Sequence, residues 1–249
     1  MWTVRRQLDA LYDATLALIY PLRCAACGEA GVEARAGAPA CAECWRATTI
    51  YDGSETCCRK CGAQAVGDVP PEKRADVLCR RCDADEFTAA RALGKYEGAL
   101  RASILTLKRE PHVSARLGRM LLNAQNRPPL DAATRIVPVP LHAERERERG
   151  FNQAALLARS LAKLSGLPLD EWSLVRTMHA TRHRAGMDAR ARRETVESAF
   201  RVERPRLIEG ERILLIDDVF TTGATVSACA QALKDAGARD VFVLTIARA

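Results

Sequence analysis

No stretch of this 249-residue chain is long and apolar enough to span a bilayer. A secretory leader is also lacking. Asp9 and Asp13 interrupt the apolar start, and no small-residue cleavage site stands out. Val4, Leu8, Leu11, Thr15 and Leu18 fall instead on one face of an amphipathic helix over residues 1–20. Its polar face carries acids as well as arginines, which favours packing over a membrane surface. Without an export signal the protein is expected in the cytoplasm, where a disulfide framework does not persist. Nor does the composition suit a disordered chain, with 48% apolar and 28% charged residues. Internal repeats are missing too, apart from paired cysteines.

Those cysteines are the first positive signal. Eight of the ten form four CxxC pairs: Cys24/Cys27, Cys41/Cys44, Cys58/Cys61 and Cys79/Cys82. Each pair presents two thiolates from one tight turn, and tetrahedral zinc takes four. Gly28 and Gly62 directly follow their pairs, as such turns often require. The expectation is a zinc-ribbon module over residues 21–86, with pairs joined in sequence and a cross-braced arrangement left open. Four-ligand sites are closed and structural, so zinc catalysis is not expected. Two such sites would bring the formal charge of +7 down to about +3, which makes the basic pI weak evidence for nucleic acid. Cys57 adjoins a pair and competes with Cys58; Cys229 lies on an apolar helix face and reads as packed.

The most informative stretch is Ile213 to Thr225, ILLIDDVFTTGAT. Ile213 to Ile216 predict a buried strand with Asp217 and Asp218 at its end. Thr221, Thr222, Gly223, Ala224 and Thr225 form a small-residue bend, and a helix is expected from Ala224 to about Ala236. Open α/β sheets bind ligands at the carboxyl ends of their strands. A helix start with free N–H groups suits a phosphate, and adjacent carboxylates suit a sugar diol, directly or through a cation. Together they suit a ribose 5-phosphate. The missing lysine excludes a Walker A loop, and the single glycine excludes a dinucleotide fingerprint. The plainer alternative, an ordinary strand–turn–helix, leaves two acids and three threonines in this order unaccounted for. The stretch resembles the signature of type I phosphoribosyltransferases, which bind phosphoribosyl pyrophosphate (PRPP).

Along residues 87–249, strand and helix patterns alternate. Strands are expected at Arg91–Tyr96, Arg135–Val139, Trp172–Arg176, Ala199–Val202 and Asp240–Ile246; helices at Leu100–Lys108, Ala115–Ala124 and Asn152–Leu164. This predicts an α/β fold: a parallel sheet with helices on both faces, beside the small N-terminal zinc module. A pyrophosphate cradle is expected in Val137–Ala154, where Arg145, Arg147 and Arg149 offer charge and Asn152 and Gln153 offer donors at a helix start. Glu144, Glu146 and Glu148 alternate with the arginines, so composition alone reads as a self-compensated, solvated loop.

PVPL at Pro138–Leu141, RGFNQ at Arg149–Gln153, Tyr96 and Gly98 before a helix ending in Leu107 and Lys108, the cysteine module and the PRPP signature occur in one order. In that order they resemble the ComF/GntX family of phosphoribosyltransferase-like proteins, from about Pro21 to Ala249. The resemblance implies a type I phosphoribosyltransferase fold with Mg-dependent PRPP binding. For some members it also implies competence, the uptake and processing of transforming DNA. Single-stranded DNA and DNA-uptake proteins are partners on that reading. Lys108 joins the arginines as a pyrophosphate candidate. Between Thr181 and Phe200, Arg184 and Thr195 replace the family's usual Gln and Asn, which leaves the acceptor open. His179 and His183 fall in the same region and read as surface histidines. No residue identifies itself as the acceptor's base, so a non-catalytic PRPP, nucleotide or DNA binder stands beside the transferase reading.

Overall fold

The computed structural model describes residues 23–29, 39–65, 67–177 and 199–249. The expected helix over 1–20, His179, His183, Arg184 and Thr195 lie outside them. The described residues form six strands: β1 (Ala89–Ala92), β2 (Arg135–Pro138), β3 (Leu174–Arg176), β4 (Phe200–Val202), β5 (Arg212–Phe220) and β6 (Asp240–Arg248). Four make one all-parallel sheet in the order β1-β6-β5-β2, and β3 pairs antiparallel with β4. Outside β2, the Ile136 N–H donates to the Pro168 carbonyl and the Asp170 N–H to that of Ile136, so a short extended segment covers that edge. The helices are α1 (Ala42–Ala47), α2 (Gly98–Leu107), α3 (Ala115–Gln125), α4 (Ala143–Arg149), α5 (Gln153–Ser165) and α6 (Ala224–Asp235).

Alternation along the central strands divides the interior into two cores. Leu214, Ile216, Phe242, Leu244 and Ile246 face α2, α3 and α5, where they meet Leu100, Ile104, Leu121, Leu157 and Leu161. Ile213, Leu215, Val241 and Val243 face α6 and the β3–β4 pair, where they meet Cys229, Leu233, Leu174 and Phe200. The cysteine segment belongs to both. Cys24 and Trp45 are buried in the first core; Cys58, Cys61 and Cys82 are buried in the second. The segment thus straddles the β1 edge and borrows apolar surface from each face of the sheet.

Three elements differ from expectation. β1 lies at Ala89–Ala92 rather than Arg91–Tyr96, because its ladder with β6 runs from Ala89 opposite Phe242 to Ala92 opposite Thr245. β5 does not stop at the acids but continues to Phe220, because β6 runs alongside to Arg248 and pairs with Asp217, Val219 and Phe220. The stretch around Arg145, Arg147 and Arg149 is a helix rather than a loop. The His142 ring accepts the Glu144 N–H at its start, Gly150 closes it with φ +81°, and acids in its first turn and arginines in its last suit the helix dipole. α5 ends at Gly166 in the left-handed conformation, as its position after the last apolar residue predicts.

Candidate ribose phosphate site and metal centres

Each cysteine cluster gathers four sulfurs within 4.8 Å of one another: Cys24, Cys27, Cys41 and Cys44 in one, Cys58, Cys61, Cys79 and Cys82 in the other. The pairs therefore combine in sequence and are not cross-braced. The sulfur separations are 3.7 Å for Cys24–Cys44, 3.6 Å for Cys58–Cys82 and 3.5 Å for Cys61–Cys79. A tetrahedron of thiolates about 2.3 Å from zinc spaces them by about 3.8 Å. The donor set fits zinc, and both centres are structural. Backbone N–H groups already point at the sulfurs, from Cys41 to Cys24 at 3.3 Å and from Cys79 to Cys58 at 3.4 Å. Burial works against the Cys58 thiolate, but N–H groups of Cys61, Cys79 and Lys60 outweigh it and hold the thiol down at about 6. Cys57 stays outside the clusters, and Cys229 is wholly buried.

The acids Asp217 and Asp218 and the bend Thr221–Thr225 lie at the carboxyl end of β5, at the start of α6. Thr221, Thr222, Ala224 and Thr225 are exposed, so among the described residues no packed side chain plugs the bend. Gly223 caps α6 with φ +86°. A Cβ there would lie 2.9 Å from the Phe220 ring. The Thr222 hydroxyl accepts the Ala224 N–H at 3.4 Å. Among the described residues the hydroxyls of Thr221 and Thr225 have no partner, and α6 has no side-chain N-cap. A Gly223→Ala variant is expected to lose about 1–2 kcal/mol in denaturant unfolding from its left-handed backbone alone.

Strand alternation turns the two carboxylates apart. Asp218 meets the Lys108 ammonium at 3.3 Å, on the α2 side. Asp217 lies on the α6 side, where its charge also acts on the buried Cys229 thiol. Burial first and repulsion from Asp218 second push the Asp217 carboxyl up to about 7, although the Asp218 N–H donates to it at 2.8 Å and Lys108 opposes the shift. Lys108 therefore serves the acids; nothing in its contacts ties it to pyrophosphate.

The second half-site is partly assembled. The Val139 N–H donates to the Ile216 carbonyl at 2.9 Å, which sets the end of β2 beside the acids. Asn152 is spent on structure: its amide donates to the Val139 carbonyl at 3.0 Å and its oxygen caps α5. Gln153 is 4% exposed, and its amide nitrogen has no partner among the described residues. Helical spacing puts Arg145 and Arg149 on one face of α4 and Arg147 nearly opposite, so the three do not converge. Arg147 instead donates to the Ala143 carbonyl.

Two arginines escaped the sequence reading. Arg176 ends β3 with a buried Nε that has no partner among the described residues, its guanidinium 5.4 Å over the Phe200 ring. Burial lowers its pKa, and Arg145 adds to the fall. Arg248 ends β6 beside Phe220. Its guanidinium stacks 4.4 Å over that ring and donates to the Cys61 carbonyl at 2.6 Å. A cavity of about 540 Å³ opens there, between Thr221, Thr222, Arg248, Arg81 and the second cysteine cluster. Both arginines close apolar strands at or near the ligand-binding edge, a signal that was present in the sequence.

A double zinc ribbon domain matches residues 15–85. The DNA utilization protein YhgH of Escherichia coli K12 is 32% identical over 216 residues, covering 84% of this chain and 89% of the relative. The chain belongs to the ComF family. Competence protein ComFC of Bacillus subtilis is 38% identical over 114 residues, covering 45% of this ComF-family chain and 44% of the relative. Among solved structures, the Bacillus subtilis glutamine PRPP amidotransferase aligns at 22% identity with a TM-score of 0.37, covering 52% of this chain and 25% of that one. A purine phosphoribosyltransferase from Pyrococcus horikoshii aligns at 13% with a TM-score of 0.34, covering 54% and 81%.

Proposed function

We propose that this ComF-family protein binds PRPP and transfers its phosphoribosyl group to a nitrogenous acceptor. The observation that carries the reading is the exposed Thr221–Thr225 bend at the start of α6, opening directly from the strand that bears Asp217 and Asp218. The bend takes the 5-phosphate on helix N–H groups and threonine hydroxyls. Asp217, on the α6 side of β5, is assigned to the ribose 2- and 3-hydroxyls, and Asp218, turned to the other side, adds its charge to the same edge. In the displacement, the acceptor nitrogen forms a bond to the anomeric carbon while the bond to pyrophosphate breaks and its electron pair leaves with the pyrophosphate. Positive charge develops on the ribose ring, so the chain's work is placement and electrostatics. Arg145 and Arg149 are assigned to the departing pyrophosphate, and Gln153 to orienting it. The hard oxygen donors of the acids suit Mg, held directly or through water, which supplies charge neutralisation to ribose and pyrophosphate oxygens. Pyrophosphate release across a panel of nitrogenous acceptors tests turnover; silence across the whole panel removes the transferase reading.

A second reading is favoured by the relatives' names, which speak of DNA utilization and competence. On it the chain holds PRPP, a nucleotide or single-stranded DNA without turnover, in the service of DNA uptake. Contacts to DNA phosphates predict affinity for an oligonucleotide that falls steeply as salt rises. A flat salt response sinks the DNA version.

A further inference from the structure

On the outer side of β1, a cleft of about 460 Å³ is walled by Tyr51, Cys57, Arg59, Arg74, Arg91 and Arg127. It shares no residue with the bend or with the acids of β5. Its size falls in the range of small-molecule sites, roughly 300–1,000 Å³. Two carboxylates face the four guanidiniums, Asp52 and Glu55, and both are engaged. Glu55 accepts the N–H groups of Asp52 at 2.7 Å and Gly53 at 2.9 Å, and Asp52 accepts that of Ser54 at 2.8 Å.

Among the described residues, none of the four arginines forms an ion pair. Carbonyl oxygens steer three of them instead. Arg91 donates to Ala90 at 2.8 Å and Arg59 at 3.2 Å, Arg127 to Tyr51 at 3.3 Å, and Arg74 to Val69 at 3.2 Å. A carbonyl fixes the direction of a guanidinium without cancelling its charge. Four guanidiniums against two carboxylates leave the hollow a formal surplus of two positive charges, which an anion would neutralise. Planar guanidinium forks match phosphate oxygens, and Tyr51 brings an aromatic ring to the same wall.

We propose that this cleft is a second anion site for a nucleotide, its phosphate on Arg59, Arg74, Arg91 and Arg127 and its base against Tyr51. A neighbouring cleft shares Arg59, Arg91 and Pro128 and adds Lys60, which makes a nucleic acid strand the rival occupant. That extension also carries Asp83, and Lys60 already donates to the Asp83 carbonyl at 3.3 Å. The extension thus adds one cation and one acid and brings no net charge for further phosphates, so one nucleotide fits the charge better than a strand.

The test is calorimetric titration of the full chain with AMP, GMP, inorganic pyrophosphate and an oligothymidylate of about ten nucleotides. It is repeated on Arg59→Ser/Arg74→Ser, on Tyr51→Leu and on Asp217→Asn/Asp218→Asn, with melting curves to confirm folding. The arginine variant, altered at two exposed side chains, should bind AMP or GMP at least about tenfold more weakly. Tyr51→Leu should weaken AMP or GMP but leave pyrophosphate unchanged. The acid variant should retain nucleotide binding, which separates this cleft from the PRPP site. The proposal is overturned if the arginine variant binds nucleotide like the wild type, if binding vanishes with the acids, if only the oligothymidylate binds, or if neither AMP nor GMP binds at millimolar concentration.

Discussion

A Cys58→Ser/Cys82→Ser variant is expected to lose PRPP binding altogether, although neither cysteine touches the bend. The connection runs through Arg248. Its guanidinium holds the Cys61 carbonyl and stacks on Phe220, and Phe220 packs edge-on against Phe87 with ring centres 5.8 Å apart. Gly223 rests against the same Phe220 ring. The second zinc centre thus braces the residue on which the phosphate bend is folded. Structural zinc contributes about 10–16 kcal/mol in zinc-finger peptides, comparable to the whole stability of an ordinary domain at about 5–15 kcal/mol. Losing the second ion should therefore melt the Cys58–Cys82 region and slacken the bend with it. Arg248→Met separates the two effects: it should keep two zinc ions by metal analysis yet bind PRPP about tenfold more weakly, the loss of one charge-assisted contact. Removal of the first centre by Cys24→Ser/Cys44→Ser should spare the bend, because those ligands pack on the opposite face of the sheet. Wild-type PRPP affinity in the Cys58→Ser/Cys82→Ser variant would break this chain of contacts.

Asp217→Asn should stabilise the fold while destroying the site. The Asp217 carboxyl is pushed up to about 7 by burial and by Asp218. Between its ordinary value near 4 and about 7, the folded state holds a proton that the unfolded state has released. Stability is therefore lost as pH rises through that window, and at pH 8 the wild type carries the full cost. Asparagine keeps the oxygen that accepts the Asp218 N–H but has no charge to bury. The expected gain at pH 8 is on the order of 4 kcal/mol, shrinking towards zero near pH 4. PRPP affinity should fall at least about a hundredfold over the same substitution, because a neutral amide accepts the ribose hydroxyls weakly and offers no charge to a bound cation. In the wild type, PRPP affinity should itself fall as pH drops below about 7. A lower melting temperature for Asp217→Asn at pH 8, or unaltered PRPP affinity, contradicts this assignment.

Much of this was legible in the sequence because local rules and burial agree. Ile213–Ile216 are apolar on both faces, as a central parallel strand must be, and CxxC spacing names its ligand by geometry alone. Sequential pairing of the zinc ligands was expected and holds, although spacing alone also admits a cross-braced arrangement; each ribbon covers its own face of the sheet. The length of β5 was missed because polar Asp217 and Asp218 read as a strand end. A neighbouring strand supplies ladder partners that no local pattern reveals. The Arg145–Arg149 stretch shows the opposite failure. Alternating charges carry no apolar period, yet a capped start and Gly150 suffice for two turns of helix. Arg59, Arg74, Arg91 and Arg127 are scattered over 69 positions of sequence, and only the fold makes them one site.

Calorimetric titration with PRPP, in the presence and absence of Mg, tests the central claim most directly. The wild type should bind with Mg, and Asp217→Ala/Asp218→Ala should not, while both proteins retain two zinc ions. Equal heats from the two proteins, or none from the wild type at millimolar PRPP, would contradict a ribose phosphate cradle at the end of β5.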